Sequence, residues 1–273
     1  MKNLSILFVC ALLFVSCKNA TEEKVDMNET EMETSVAMKE TADYPAPMQA
    51  VFEAHGTMAQ WNKMHNLCFE MDGKNGNETH TISLHDRRSK IETKDWSIGF
   101  NGDDVWLLEN DPGSYKGNAR FYHNLMFYFY AMPFVLGDDG IQYEIMPLTE
   151  LDGTNYKGVK VSYEAGVGDS PKDEYILYFH PDTNQMEWLG YTVTFGKDAT
   201  VDDWHFIKYD EWTEVNGLLL PKKLTWYNVE DGKPTDERND LRFKKITVTE
   251  TTLEDSVFKK PESAVIVEMP EIE

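Results

Sequence analysis

The feature that most constrains this chain is a change of hydrophobic period near residue 66. Up to that point the apolar residues recur at helical spacing, and after it they alternate. "YPAPMQAVFEAHG" puts Met48, Val51, Phe52 and His55 on one stripe, with Pro47 suited to a first helical turn and Gly56 to a stop. Thr57 is placed to cap a second short helix carrying Met58, Trp61 and Met64. From there "LCFEM", "THTISL", "SKIET", "DWSIGF" and "DVWLLE" alternate, broken by "DGKNGN", "HDRR" and "NGDD". The sequence "WSIGF-NG-DDVWLL" carries a hairpin signal, because Asn-Gly tolerates the positive φ of a tight turn.

A second series follows: "IQYEIMP", "YKGVKVSYEA", "DEYILYF", "QMEWLGYTVTF", "WHFIKYDEWTEV", "LLLPKKLTWYNV" and "LRFKKITVTETTL". Each reads as a strand, with "HPDTN", "GKDATVDD", "NG" and "EDGKPTDER" as the joining loops. No βαβ alternation occurs. The expectation is a mainly β (α+β) domain: a single large curved antiparallel sheet of about 10–12 sequentially connected strands, with helices packed on its concave face.

Between the two series stands "FYHNLMFYFYAMPFVL", residues 121–136. Its uncharged apolar run, 125–136, is 12 residues long. A membrane-spanning helix needs about 20. Pro133 is expected to end a helix that starts near Ala119, and the Gly-Asp-Asp-Gly at 137–140 to turn the chain back into strands. A helix apolar nearly all round is buried on several sides. The predicted role is to fill, or to line, the open side of the sheet.

The N-terminus is read apart from the fold. Lys2 precedes an apolar run from residue 4 to 15, too short to span a bilayer, followed by Ser16 and Cys17. "FVSC" resembles a bacterial lipobox, with Phe14 where Leu is usual. Residues 1–16 are thus expected to be a lipoprotein signal peptide and Cys17 a diacylated (palmitate-type) anchor. Anchoring requires more than one acyl chain, since a single chain holds only marginally. Residues 18–43 hold eight acids, three bases and no aromatic residue, so 17–43 reads as a flexible acidic tether and 44–273 as one domain. With Cys10 lost alongside the signal, Cys68 is the remaining thiol and no disulfide framework is expected.

The whole chain carries 48 acids against 26 bases, a net charge of −22. That field repels phosphate backbones, so nucleic acid is excluded as a partner, and it repels anionic lipid surfaces, so attachment depends on the anchor. A monomer at the cell envelope is expected, on the outer membrane and facing either the periplasm or the cell surface.

Enzyme signatures are poor. "GVGDS" at 166–170 lacks the setting of a hydrolase nucleophile, because Ser170-Pro171 introduces a strand and the last His is His205. His80 and His85, five apart, point to opposite faces of a strand, and whether His65, His80, His123, His180 and His205 converge is open. No metal, cofactor or catalytic residue is assigned. Seven Trp raise a glycan-stacking alternative, although most sit at core-like strand positions.

The segments "IGFNGDDVW" and "YILYFHPDTNQMEWLGYTV", with "YDEWTEVNGLLLPKKLTWY", resemble the outer-membrane lipoprotein-sorting superfamily typified by LolA and LolB. "NARFYHNLMFYFYAMPFVL", "LDGTNYKGVKVSY" and "GVGDSPKDEYILY" are similar to an uncharacterised lipoprotein family of Gram-negative bacteria, over roughly residues 48–262. The superfamily resemblance implies an unclosed β half-barrel with helices in its concavity, holding a lipid acyl chain or another hydrophobic small molecule. On that reading the ligand lining is Phe127, Tyr128, Tyr130, Met132 and Phe134. Arg120 or His123 stands at the rim as a partner for a carboxylate or phosphate head group. The alternatives are an envelope hydrolase or glycan-binding lipoprotein, and a purely structural envelope protein whose concavity is packed solid.

Overall fold

The computed structural model describes residues 44–73, 76–164, 172–195 and 202–269. Residues 1–16, read above as a signal peptide, with Cys17, the 18–43 stretch and "GVGDS", lie outside the described residues.

Two helices open the domain, α1 (Ala46–Ala54) and α2 (Met58–Lys63). Pro47 falls in the first turn of α1, and the Thr57 hydroxyl accepts the Gln60 N–H at 3.1 Å, capping α2. Gly56 has φ +107°, and a Cβ there would lie 2.1 Å from the Gly217 carbonyl oxygen. Only glycine allows so close a backbone crossing.

Strands β1 (Asn66–Gly73), β2 (Gly76–Ser83), β3 (Ser89–Glu92), β4 (Trp96–Phe100) and β5 (Val105–Glu109) form the first series. Between β4 and β5 the turn is longer than a two-residue hairpin. Asn101 N–H donates to the Asp104 carbonyl at 3.2 Å, and the Asn101 side chain accepts from the N–H groups of Asp103 and Asp104. Helix α3 (Ala119–Tyr130) follows, then a 3₁₀ turn over Phe134–Gly137. Asn118 caps α3 by accepting the Phe121 N–H, and the α-helix stops before Pro133, as the sequence predicts.

The second series is β6 (Ile141–Leu151), β7 (Thr154–Tyr163), β8 (Tyr175–Phe179), β9 (Met186–Tyr191), β10 (His205–Asp210), β11 (Thr213–Val215), β12 (Leu218–Leu220), β13 (Lys223–Glu230) and β14 (Lys233–Thr249). A short β15 (Val265–Ile266) ends it.

One antiparallel sheet of thirteen strands results, in the order β15-β5-β4-β3-β2-β1-β14-β13-β10-β9-β8-β7-β6. It is unclosed, with β15 and β6 at its two edges. The predicted half-barrel with helices in its concavity is the observed fold. Its strand order is not sequential throughout, however. β14 returns to pair with β1, Leu67 opposite Val248 and Met71 opposite Phe243, so two meanders meet at one central seam.

The strand count exceeds 10–12 for local reasons. Two segments read as single strands each divide, at Glu211 (φ +54°) and at Pro221, and their inner pieces β11 and β12 pair as a separate small hairpin. "EDGKPTDER", read as a loop, is a turn at Asp231 and Gly232, both at positive φ, followed directly by β14. The first eight residues of β14 are almost all exposed, so no buried face imposes an alternation that a sequence reading would detect.

The main core lies within the curve and joins α1, α2, α3 and both halves of the sheet. Trp61 stacks on Phe134 with ring centroids 4.7 Å apart. Phe69, Tyr130 and Phe243 pack around the central seam. His55 is fully buried: its Nε2 accepts the Met186 N–H at 3.0 Å, and Nδ1–H faces the Leu219 carbonyl at 3.3 Å. One imidazole thus ties α1 to β9 and β12. Desolvation lowers its pKa to about 4, and the Leu219 contact opposes that shift only in part. The opposite face of β7 to β10 carries its own apolar cluster around Trp188, Tyr178 and Phe206.

Candidate pocket between helix and sheet

Helix α3 does not meet the two halves of the sheet equally. Its first turns are fastened to the N-terminal half by polar contacts. Tyr122 donates its phenol hydrogen to Glu78 at 2.7 Å, and His80 Nε2 reaches the same carboxylate oxygen at 3.3 Å. Glu78 and His80 are both buried, and His80 stacks on Phe69 at 4.7 Å. Desolvation lowers the His80 pKa, against the pull of Glu78. On β3, the Ser89 hydroxyl donates to the His123 carbonyl at 3.1 Å.

On the other side α3 stands apart from β7, β8 and the segment after β9, and a pocket of about 300 Å³ fills the gap. Such a volume is at the lower end for small-ligand sites. Phe121, Asn124, Leu125, Phe127 and Tyr128 line it from the helix, Tyr163, Asp173, Tyr175 and Phe195 from the C-terminal half, and Arg87, Ser89 and Phe100 from the N-terminal half. Phe121 and Phe195 meet across the gap with centroids 5.0 Å apart.

At the floor, Arg87 Nη2 donates to both oxygens of Asp138, at 2.6 and 2.7 Å, and its guanidinium lies 5.2 Å from the centre of the Phe127 ring. This half-buried, charge-assisted pair joins the turn after β2 to the turn before β6. Burial raises the pKa of Tyr163 and Tyr175 well above the ordinary phenol value, so both remain neutral donors over the physiological range.

Four of the residues named from the sequence stand on this pocket: Phe127, Tyr128, Arg120 and His123. His123 is buried and donates from Nδ1 to the Arg120 carbonyl at 2.6 Å, and Arg120 Nε lies against the Met269 sulfur. Tyr130, Met132 and Phe134 are elsewhere. All three belong to the packed core, with 1 % exposure or less. The C-terminal wall escaped the sequence reading because it assembles only when β7, β8 and the residues after β9 come together. The alternation of "DEYILYF" did place Tyr175 on the same face as Leu177 and Phe179. Arg87 and Asp138 sit in turns, where no periodicity points at a site.

The histidines are dispersed. His85 falls in the turn after β2 with its ring 4.4 Å from that of His65, while His180 follows β8 and His205 opens β10. Among the described residues no group of three or more His, Cys, Asp or Glu is placed to hold a metal ion, and no helix is long and apolar enough to cross a membrane.

Fold and site together define a class: an open β half-barrel, plugged by one aromatic helix that leaves a pocket along one flank. The chain belongs to the family of unknown function DUF6503, which matches residues 108–255, more than half of its length. No curated protein matches the sequence. Among solved structures it is similar to a DUF1329 family protein from Desulfovibrio piger, at 13% identity, covering 78% of this chain and 97% of that one, with a TM-score of 0.47. A LolA superfamily protein from Nitrosomonas europaea gives 10% identity, 78% and 97% coverage and a TM-score of 0.46. An outer-membrane lipoprotein-sorting protein domain from Vibrio parahaemolyticus gives 10% identity, 76% and 96% coverage and a TM-score of 0.34.

Proposed function

We propose that this protein is a lipid-anchored cell-envelope binding protein that holds an apolar ligand in the gap between α3 and the C-terminal strands. The observation that carries the reading is the pocket itself. Most of the concavity is filled by the protein's own side chains, yet α3 and β7 to β9 leave about 300 Å³ between aromatic walls. A segment serving only as a plug would close that space, because interiors pack to crystal-like density. The shape of the gap suits one acyl chain or a compact apolar molecule rather than several chains.

The anchor is Cys17, released as the first residue after a signal at 1–16, with 18–43 as a tether and residues 44–273 as a monomeric domain. Metabolic labelling with an alkynyl palmitate is expected to mark the wild-type chain and not Cys17→Ser. Native mass spectrometry of the purified protein, paired with titration of a fluorescent fatty acid, tests the pocket. One ligand per chain is expected. Neither co-purified ligand nor saturable uptake would overturn the proposal.

A further inference from the structure

The Arg87–Asp138 pair in the pocket wall is incomplete on the arginine side. A guanidinium carries its N–H donors in a rigid plane, and Asp138 takes those of Nη2, at 2.6 and 2.7 Å. Nη1 is buried and has no hydrogen-bond partner. Of the buried side-chain polar atoms left so among the described residues, it is the one whose residue lines the pocket. An unmet donor costs more on a charged group than on a neutral one. This position therefore calls for an acceptor that the protein does not supply.

Charge decides which kind of acceptor fits. With His123 left aside, the lining holds two guanidiniums, Arg87 and Arg120, against three carboxylates, Asp138, Asp139 and Asp173. A ligand carboxylate would add a fourth, in a chain whose net charge is already −22. An uncharged carbonyl oxygen meets the donor without adding charge. The acceptor must also arrive with apolar surface beside it, because the Phe127 ring lies 5.2 Å from the guanidinium centre and itself lines the gap.

We propose that Arg87 Nη1 donates to the uncharged carbonyl of an acyl ester, whose chain lies in the gap toward Phe121 and Phe195. Nη1 is closed to water, so the Phe127 ring turns aside as the carbonyl enters. The inference rests on the pocket being the binding site, and it specifies the class of ligand. It also departs from the sequence-based expectation of a carboxylate or phosphate head at Arg120 or His123.

The test compares three probes of equal chain length, methyl octanoate, octanoate and 1-chlorooctane, each titrated calorimetrically into the purified protein at neutral pH. The ester is expected to bind at least about tenfold tighter than either of the others. Arg87→Lys keeps a cation for Asp138 but removes the second nitrogen. In that variant the ratio of ester to 1-chlorooctane affinity is expected to fall to within about twofold. Infrared spectra of methyl octanoate bound to the wild-type protein need no variant. Its ester carbonyl stretch is expected below the frequency seen in hexane, as a hydrogen-bonded carbonyl requires. A hexane-like stretch, octanoate binding as tightly as the ester, or an ester advantage that survives in folded Arg87→Lys would overturn the inference and leave the pocket reading standing. Absence of binding by every probe would overturn both.

Discussion

The segment at 119–136 has two halves of similar composition and different fates. From Ala119 to Tyr128 the helix keeps one face on the sheet and turns the other to an open gap. From Tyr130 to Leu136 every side chain is closed in, with Phe134 stacked on Trp61 and Ala131, Met132 and Val135 at 1 % exposure or less. The difference arises from what each half faces. The C-terminal half sits over the central seam, where α1, α2 and both meanders converge. The N-terminal half has its polar fastenings on one meander, Tyr122 to Glu78 and Ser89 to the His123 carbonyl, so its other flank is left to Tyr163, Tyr175 and Phe195. Apolar content therefore does not distinguish a plug from a wall; the number of elements that converge on the segment does.

This contrast is most severely tested in the packed half. Phe134→Ala removes a fully buried ring and is expected to cost about 3–5 kcal/mol in denaturant unfolding, while any correctly folded fraction keeps its ligand affinity. A loss under 1 kcal/mol would mean that this half is not packed as described.

The next effect is on pH. His55 has a folded-state pKa of about 4, below its ordinary 6.5, so between these values the unfolded chain binds the proton first. Stability is complete above about pH 6.5 and falls as the pH drops through the window toward 4, by roughly 3 kcal/mol relative to a His55→Gln reference. The buried, neutral His80 adds in the same direction. A flat difference between the two proteins across that window would contradict the neutral His55 described here.

Smaller effects belong to the wall. Tyr122→Phe removes one partner of the buried Glu78 and is expected to cost about 1–3 kcal/mol, with weaker ligand binding because the helix loses its fastening. Tyr128→Ala is expected to lower stability by only about 1 kcal/mol while reducing affinity about tenfold, the opposite balance to Phe134→Ala. Parallel unfolding and binding titrations on both variants check the pair.

Much of the architecture is legible before the structure is seen. The shift of period near residue 66 marks where helices give way to strands, and Thr57, Asn118 and Pro133 carry their local roles in their side chains. The seam between β1 and β14 is not legible, because it joins residues about 180 apart whose patterns fit any antiparallel neighbour. The outer part of β14 is hidden for the opposite reason: with neither face buried, nothing alternates. At the site, composition draws attention to the whole of 121–136, and the residues Phe127 and Tyr128 fall on the pocket while Tyr130, Met132 and Phe134 fall in the core. Helical position alone does not separate them. The partition depends on Asp173, Tyr175 and Phe195 arriving from a distant part of the chain.

The most direct measurement is ligand affinity and unfolding free energy for Asn124→Trp set beside Phe134→Ala. Asn124 lines the pocket from the open flank of α3, so an indole there fills the gap without entering the core. Fluorescent fatty-acid binding to Asn124→Trp is predicted to fall at least tenfold, with stability changed by no more than about 0.5 kcal/mol. Undiminished binding by Asn124→Trp, together with lost affinity in folded Phe134→Ala, would place the ligand behind the plug and contradict the account.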